Sequence, residues 1–164
     1  MGTGKTTIGK LIATRLGWTF ADTDQVIEQR QGKSVREIFA ELGEPAFRTM
    51  ESILCAEIGA SWERSVIATG GGMVLNPTNR EMLSNAGLLI CFDAAPQVLA
   101  GRLDRHSSDR PLLTRPQGMS LAARIEELLT QRAEAYQAVK HHLDTGTQTP
   151  FAVVDQVVDL WLKG

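Results

Sequence analysis

Six residues near the start of the chain, Gly2-Thr3-Gly4-Lys5-Thr6-Thr7, constrain the fold more than any other stretch. Glycines free the backbone to curl, so that successive N–H groups point into one cavity. The lysine then reaches phosphate oxygens, and the hydroxyl after it coordinates a hard cation. Such a loop needs a helix running on from it and a buried sheet beside it. The helix is legible: from Lys5 onward Ile8, Leu11, Ile12 and Leu16 share one stripe, and Gly17 stops it. We read the stretch as the second half of a nucleotide phosphate loop, with the positive end of the helix aimed at the phosphates. An ordinary helix-capping glycine turn is the plainer alternative. The pattern's first glycine falls before Met1, as does the strand that leads into such a loop. The expectation is therefore an upstream apolar strand ending in glycine.

Short apolar runs alternate with longer amphipathic stretches over the rest of the chain. Trp18 to Asp22 reads as a strand ending in acidic residues. Ser34-Val35-Arg36-Glu37 is a capping box for a helix that carries Ile38, Phe39 and Leu42 and ends at Gly43. Pro45 suits the first turn of the next helix, which turns Phe47, Met50, Leu54 and Ile58 inward. Ser65 to Thr69 is a strand running into Gly70-Gly71-Gly72. Asn76-Pro77 opens a helix closed by Gly87, and Leu88 to Phe92 is a continuous apolar run, as in a strand covered on both faces. Pro96 to Leu103 is a helix. From Asp104 to Met119 the periodicity lapses into a polar stretch holding Arg105, Arg110 and Arg115, the size of a lid. Leu121 to Val139 reads as the longest helix and His142 to Thr145 as a short strand. Pro150 opens a last helix that turns Val154, Val157, Val158 and Trp161 inward. The alternation predicts an α/β fold with a mostly parallel sheet, built as one domain over residues 1–164.

Three further clusters suggest a site. Asp22 and Asp24 end the first visible strand, the carboxyl end at which α/β sheets bind ligands. One carboxylate suits a metal held through water, and the other a substrate hydroxyl. A pair of helix-capping residues explains them as well. Arg48 and Glu51 lie three apart on one helix, which a surface ion pair would equally produce. Gly70, Gly71 and Gly72 imply close backbone approach to a ligand, or a plain turn.

Composition narrows the partners. The net charge of −2 carries no basic excess of the kind that draws nucleic acid or an anionic membrane, so any cationic site must be a local cluster of arginines. No apolar run approaches the ~20 residues of a membrane helix. The first residues lack the charged and apolar regions of an export signal. Cys55 and Cys91 sit in apolar stretches without metal-like spacing, which reads as buried free thiols in a reducing compartment. A cytoplasmic protein is the expectation.

Taken in order, Gly2 to Thr6, Asp22-Thr23-Asp24, Gly32-Lys33-Ser34 with Ile38-Phe39, Gly43 to Arg48 with Glu51, Ala68 to Gly72, Arg110-Pro111-Leu112-Leu113 and Arg132 followed by Tyr136 resemble the shikimate kinases. The resemblance covers essentially the whole chain. It implies a three-layer P-loop kinase whose five parallel strands stand in the order 2-3-1-4-5. It also implies transfer of the ATP γ-phosphate to the 3-hydroxyl of shikimate, with Mg²⁺, in aromatic amino-acid synthesis, by a monomer. Carried over by position, Gly2, Thr3, Gly4, Lys5, Thr6 and Thr7 bind nucleotide phosphates, and Thr6 and Asp22 serve the metal. Asp24 holds the reacting hydroxyl and acts as its base. Arg48 and Arg132 clamp the substrate carboxylate, with Gly70, Gly71 and Gly72 as backbone contacts. Arg110, in the lid, covers the transferring group, while Arg102 (or Arg105) and Pro150 flank adenine. The substrate-binding segment spans about 22–60 and the lid about 104–119. The strand falling before Met1 would be the central one, and the expectation without it is poor folding or a rearranged sheet. Two alternatives remain open: a gluconokinase-like sugar-acid kinase, and an inactive nucleotide-binding module.

Overall fold

The structure, a computed structural model, describes residues 1–104 and 118–163. Arg105, Arg110, Arg115 and most of the expected lid lie outside the described residues.

Helix α1 (Lys5–Leu16) starts at Gly4 and stops at Gly17, both in the left-handed region at φ 86° and 67°. Strand β1 (Thr19–Asp22) follows, then α2 (Thr23–Gln31) and α3 (Val35–Ser61). The expected capping box opens α3, with Ser34 accepting from the Glu37 amide and Glu37 accepting from the Ser34 amide. Gly43, at φ 80° and ψ 165°, breaks α3 where a stop was read, and Pro45 sits in the first turn after the break. Strand β2 (Ser65–Ala68) leads into the glycines and a 3₁₀ turn (Met73–Leu75), followed by α4 (Pro77–Ala86), β3 (Ile90–Asp93) and α5 (Pro96–Asp104).

The helix read over 121–139 is two helices, α6 (Leu121–Gln131) and α7 (Ala133–Gln137), so it is not the longest. The chain leaves helical geometry at Arg132 (φ −107°, ψ 0°), whose N–H bonds back to Leu129 and Thr130. No proline or glycine marks this break. Strand β4 (His141–Asp144) and α8 (Pro150–Lys163) complete the chain. Of the residues expected to face inward from α8, Val154 and Val157 are buried, but Trp161 is 43% exposed, edge-on to Trp18. Cys55 is buried as expected; Cys91 is only half-buried.

The strands pair in parallel, β1 with β2 (Thr19 opposite Ser65) and β3 with β4 (Ile90 opposite His141), giving two two-stranded sheets among the described residues. Alternation on β2 sends Val66 toward α1 and α8, where Ile8, Ile12, Val153, Val154 and Val157 are buried. Ile67 faces the opposite layer of Ile38, Leu54, Ile58 and Leu83 from α3 and α4. Three layers result. The sheet is not rearranged to close its centre. A cavity of about 600 Å³ separates β2 from β3, and Val66, Ile67, Ile90 and Phe92 beside it are half-buried. Leu54, at 1% exposure, anchors the α3 layer. Leu54→Ala should cost about 2–5 kcal/mol in urea unfolding with an unchanged m-value.

Candidate active site

The carboxyl ends of β1 and β2 and the start of α1 meet around one cavity of about 680 Å³. Its walls include Gly2 to Thr7, Asp22, Asp24, Arg48, Gly70 to Gly72, Arg102, Arg132 and Pro150. Every site residue expected from the sequence lines it except Arg110 and Arg105, the alternative to Arg102, which are outside the described residues.

At one end lies the phosphate loop. Gly2 and Gly4 take φ values of 69° and 86°, which side chains resist. Arg102 ties the loop down from α5, donating to the carbonyls of Gly2 (3.3 Å) and Thr145 (2.6 Å). Thr6 Oγ1 donates to Asp22 Oδ2 at 2.9 Å. Asp22 Oδ1 accepts from the Asp24 amide, capping α2, so the capping reading of Asp22 holds. Asp24 itself is in the first turn of α2, not on the extended strand imagined for the pair. Thr6 and Asp22 offer a hydroxyl and a carboxylate side by side, the hard oxygen donors that Mg²⁺ takes alongside phosphate oxygens.

At the other end the three glycines are crowded by side chains. A Cβ at Gly72 would overlap the Arg48 guanidinium, and one at Gly70 would lie 2.5 Å from Asp24 Oδ1 and 2.9 Å from Glu51 Oε1. Arg48 donates to Glu51 (2.6 Å) and Glu44 (2.5 Å). The ion pair is no surface pair, because Glu51 is 1% exposed. Asp24 Oδ1 and Glu51 Oε1 are buried without a hydrogen-bond partner among the described residues. Burial, then the neighbouring Asp22 charge, raises the Asp24 carboxyl above 3.8; burial likewise raises Glu51 above 4.5. Arg132 reaches in from the α6–α7 break and lies 3.4 Å from the Tyr136 hydroxyl, which donates to the Gly71 carbonyl at 2.9 Å. Thr23, fully buried, accepts from the Gly70 amide at 2.9 Å and fixes the turn against α2. Nothing in the sequence singled out Thr23, since a threonine between two aspartates has no distinguishing pattern.

A second group of ligand types, Cys91, Asp93 and His142, lies apart from this cavity. Both His142 ring nitrogens already face acceptors, Asp93 Oδ2 at 2.7 Å and the Val139 carbonyl at 3.0 Å. Burial, with Asp93 beside it, pushes the Cys91 thiol up to about 12. The trio satisfies itself. Among the described residues no helix is long and apolar enough to cross a membrane.

A phosphate loop heading a helix, a hydroxyl–carboxylate pair beside it, and an arginine-lined basin across the same cavity define a P-loop kinase of a small anionic substrate. The family model for shikimate kinase matches residues 1–161. A shikimate kinase of Pelotomaculum thermopropionicum is 41% identical over 158 residues, covering 96% of this chain and 89% of the relative. The solved shikimate kinase of Acinetobacter baumannii, in complex with shikimate, superposes with a TM-score of 0.87 at 31% identity, over 99% of this chain and 89% of that one. A gluconokinase of Sinorhizobium meliloti reaches 0.58 at 15% identity, covering 99% and 90%, a likeness of fold alone. The chain belongs to the shikimate kinase family.

The raised carboxyls carry a stability consequence. The folded chain holds protons on Asp24 and Glu51 more tightly than the unfolded chain does. Their contribution is therefore greatest below the unfolded values of 3.8 and 4.5 and is lost as pH rises through the raised ones. Asp24→Asn removes one charge of the pair. It should unfold at higher urea than the parent at pH 7, with the difference shrinking toward pH 4; a variant less stable than the parent at pH 7 would contradict this.

Proposed function

We propose that the protein transfers the γ-phosphoryl group of ATP to the 3-hydroxyl of shikimate, giving shikimate 3-phosphate and ADP for chorismate and aromatic amino-acid synthesis. The observation that carries the reading is the single cavity in which Asp24, Arg48, Arg132 and the three glycines stand opposite the phosphate loop. The basin suits a ring bearing one carboxylate and several hydroxyls.

Phosphoryl transfer asks the protein mainly to position the reactants and to balance charge. Lys5 and the amides of Gly2 to Thr7 hold the nucleotide phosphates, with Arg102 bracing the loop and Pro150 at the nucleotide's edge. Thr6 and Asp22 hold Mg²⁺, which when bound neutralises phosphate charge. Arg48 and Arg132 take the substrate carboxylate, since a planar guanidinium matches it with two parallel bonds. Gly71 and Gly72 let the ring approach the backbone. Asp24 accepts the hydroxyl proton, and its raised pKa makes it a stronger base than a solvated aspartate. Arg110 is assigned to a lid over about 104–119 and the acceptor segment to about 22–60, within one domain. We place the protein in the cytoplasm as a monomer acting on small molecules, with no role for nucleic acid or membrane. The net charge of −2 and the free thiols Cys55 and Cys91 suit that setting.

A coupled ADP-release assay tests the assignment: release should require shikimate and ignore gluconate, and stimulation by gluconate alone would overturn it. ATP binding without any transfer would favour the inactive-module reading. Asp24→Asn should lower kcat by about 10²–10⁴-fold with little change in KM for ATP. Gly72→Ala, which displaces Arg48, should act mainly on KM for shikimate and leave KM for ATP near the parent value.

A further inference from the structure

Strand register brings three donors of different chemistry onto one face of the β3–β4 pair. Cys91 and Asp93 lie two apart on β3 and so point the same way, and His142 on β4 stands opposite Cys91. Phe92 and Leu143, one step along, turn to the other face, toward α1 and α8. Asp144 shares the donors' face, but its oxygens are committed to Gly146 and Thr147. The Asp93 carboxylate stands between the other two donors, with Oδ1 3.6 Å from Cys91 Sγ and Oδ2 2.7 Å from His142 Nδ1. One ligand atom from each of the three lies within 4.8 Å of the others. Linear spacing hides the group, because Asp93 and His142 are 49 residues apart and only the strand pairing joins them.

His142 is oriented as a metal ligand is. Its Nε2 faces the Val139 carbonyl at 3.0 Å, an acceptor outside the trio, so that nitrogen carries a proton. A ligating imidazole is commonly anchored through its far N–H in this way. The other nitrogen, Nδ1, then faces a carboxylate, and something positive must lie between them. In the free chain a proton serves, and the trio is satisfied. We infer that Cys91, Asp93 and His142 form a binding site for a borderline divalent cation of the zinc class, which takes that proton's place and clasps β3 to β4 through their side chains. Sulfur, nitrogen and oxygen donors together select such an ion over Mg²⁺, which takes oxygen ligands in octahedral array. A tetrahedral ion spaces its donors by ~3.3–3.5 Å, so the 2.7 Å contact needs to open by less than ~1 Å. The Asp93 side chain is 51% exposed and has room to give, and the 35% exposure of His142 leaves the ion a path. Three protein ligands leave a fourth position for water. Burial pushes the free Cys91 thiol up to about 12, so it stays protonated until coordination ionises it and releases that proton to solvent.

The probes are Co²⁺ and Zn²⁺, added to the full chain without nucleotide. Co²⁺ should give a thiolate-to-metal charge-transfer band that saturates at one ion per chain. Zn²⁺ should abolish the band by displacement, and excess Mg²⁺ should leave it unchanged. Cys91→Ser should remove it, and His142→Ala should weaken Co²⁺ binding at least about 100-fold. Cys55→Ser and His141→Ala, which touch the other thiol and the other face of β4, should keep it. In the parent chain Zn²⁺ should slow alkylation of Cys91, located by peptide mass, about tenfold or more. That measurement decides the matter if a variant does not fold. No band in the parent, a band that survives Cys91→Ser, or alkylation unchanged by Zn²⁺ would each overturn the inference. None of these readouts involves turnover, so their failure leaves the kinase assignment standing.

Discussion

The Arg48 guanidinium fills the space that any side chain at position 72 would need, and this approach sets how near α3 can lie to the turn after β2. The same turn is held at Gly70 by the buried Thr23 hydroxyl and at Gly71 by the Tyr136 hydroxyl. Three successive residues without side chains thereby let α2, α3 and α7 converge on one stretch of backbone. Larger residues there would push α2 and α3 outward and open the basin. The glycines serve the arrangement of the protein's own side chains before they serve any ligand.

That convergence has an electrostatic cost. Asp24 and Glu51 are drawn from water, and each keeps a buried oxygen without a partner among the described residues. Arg48 offsets part of this by binding Glu51, and its further bonds to Glu44 hold the planar guanidinium in one orientation. A site of this kind trades stability for groups poised to act, since an orphaned carboxylate oxygen is an acceptor awaiting a hydroxyl. Oxygens from Thr6 and Asp22, paired to each other across the first helix and the first strand, show the same economy at the nucleotide end.

Much of this was legible in the sequence because local chemistry decides it. Gly4 and Gly17 bound α1, Ser34 and Glu37 start α3, and Gly43 breaks it, each through backbone geometry or a cap that depends on a few adjacent residues. The residues that line the cavity were readable as an ordered set of motifs. What escaped is set by distant partners. The helix break at Arg132 carries no breaking residue, and the burial of Glu51 comes from α3 meeting the turn at Gly70. Trp161 was expected inside because its spacing on α8 is right. It is partly exposed, packed edge-on against Trp18 in the last turns of the final helix. Asp24 was placed by strand periodicity, but α2 begins one residue earlier, at Thr23.

The contacts that shape the cavity also say when it can form. Arg102 reaches Gly2 across 100 residues, Tyr136 reaches Gly71 across 65, and Gly70 reaches Thr23 across 47. Each closes a long loop of chain, and such closures are entropically deferred until their surroundings are built. The helix after the phosphate loop forms from neighbours alone, but the curl of the loop waits for α5 to arrive from the far half of the sequence. The most recognisable motif in the chain is therefore among the last parts of it to take its working shape.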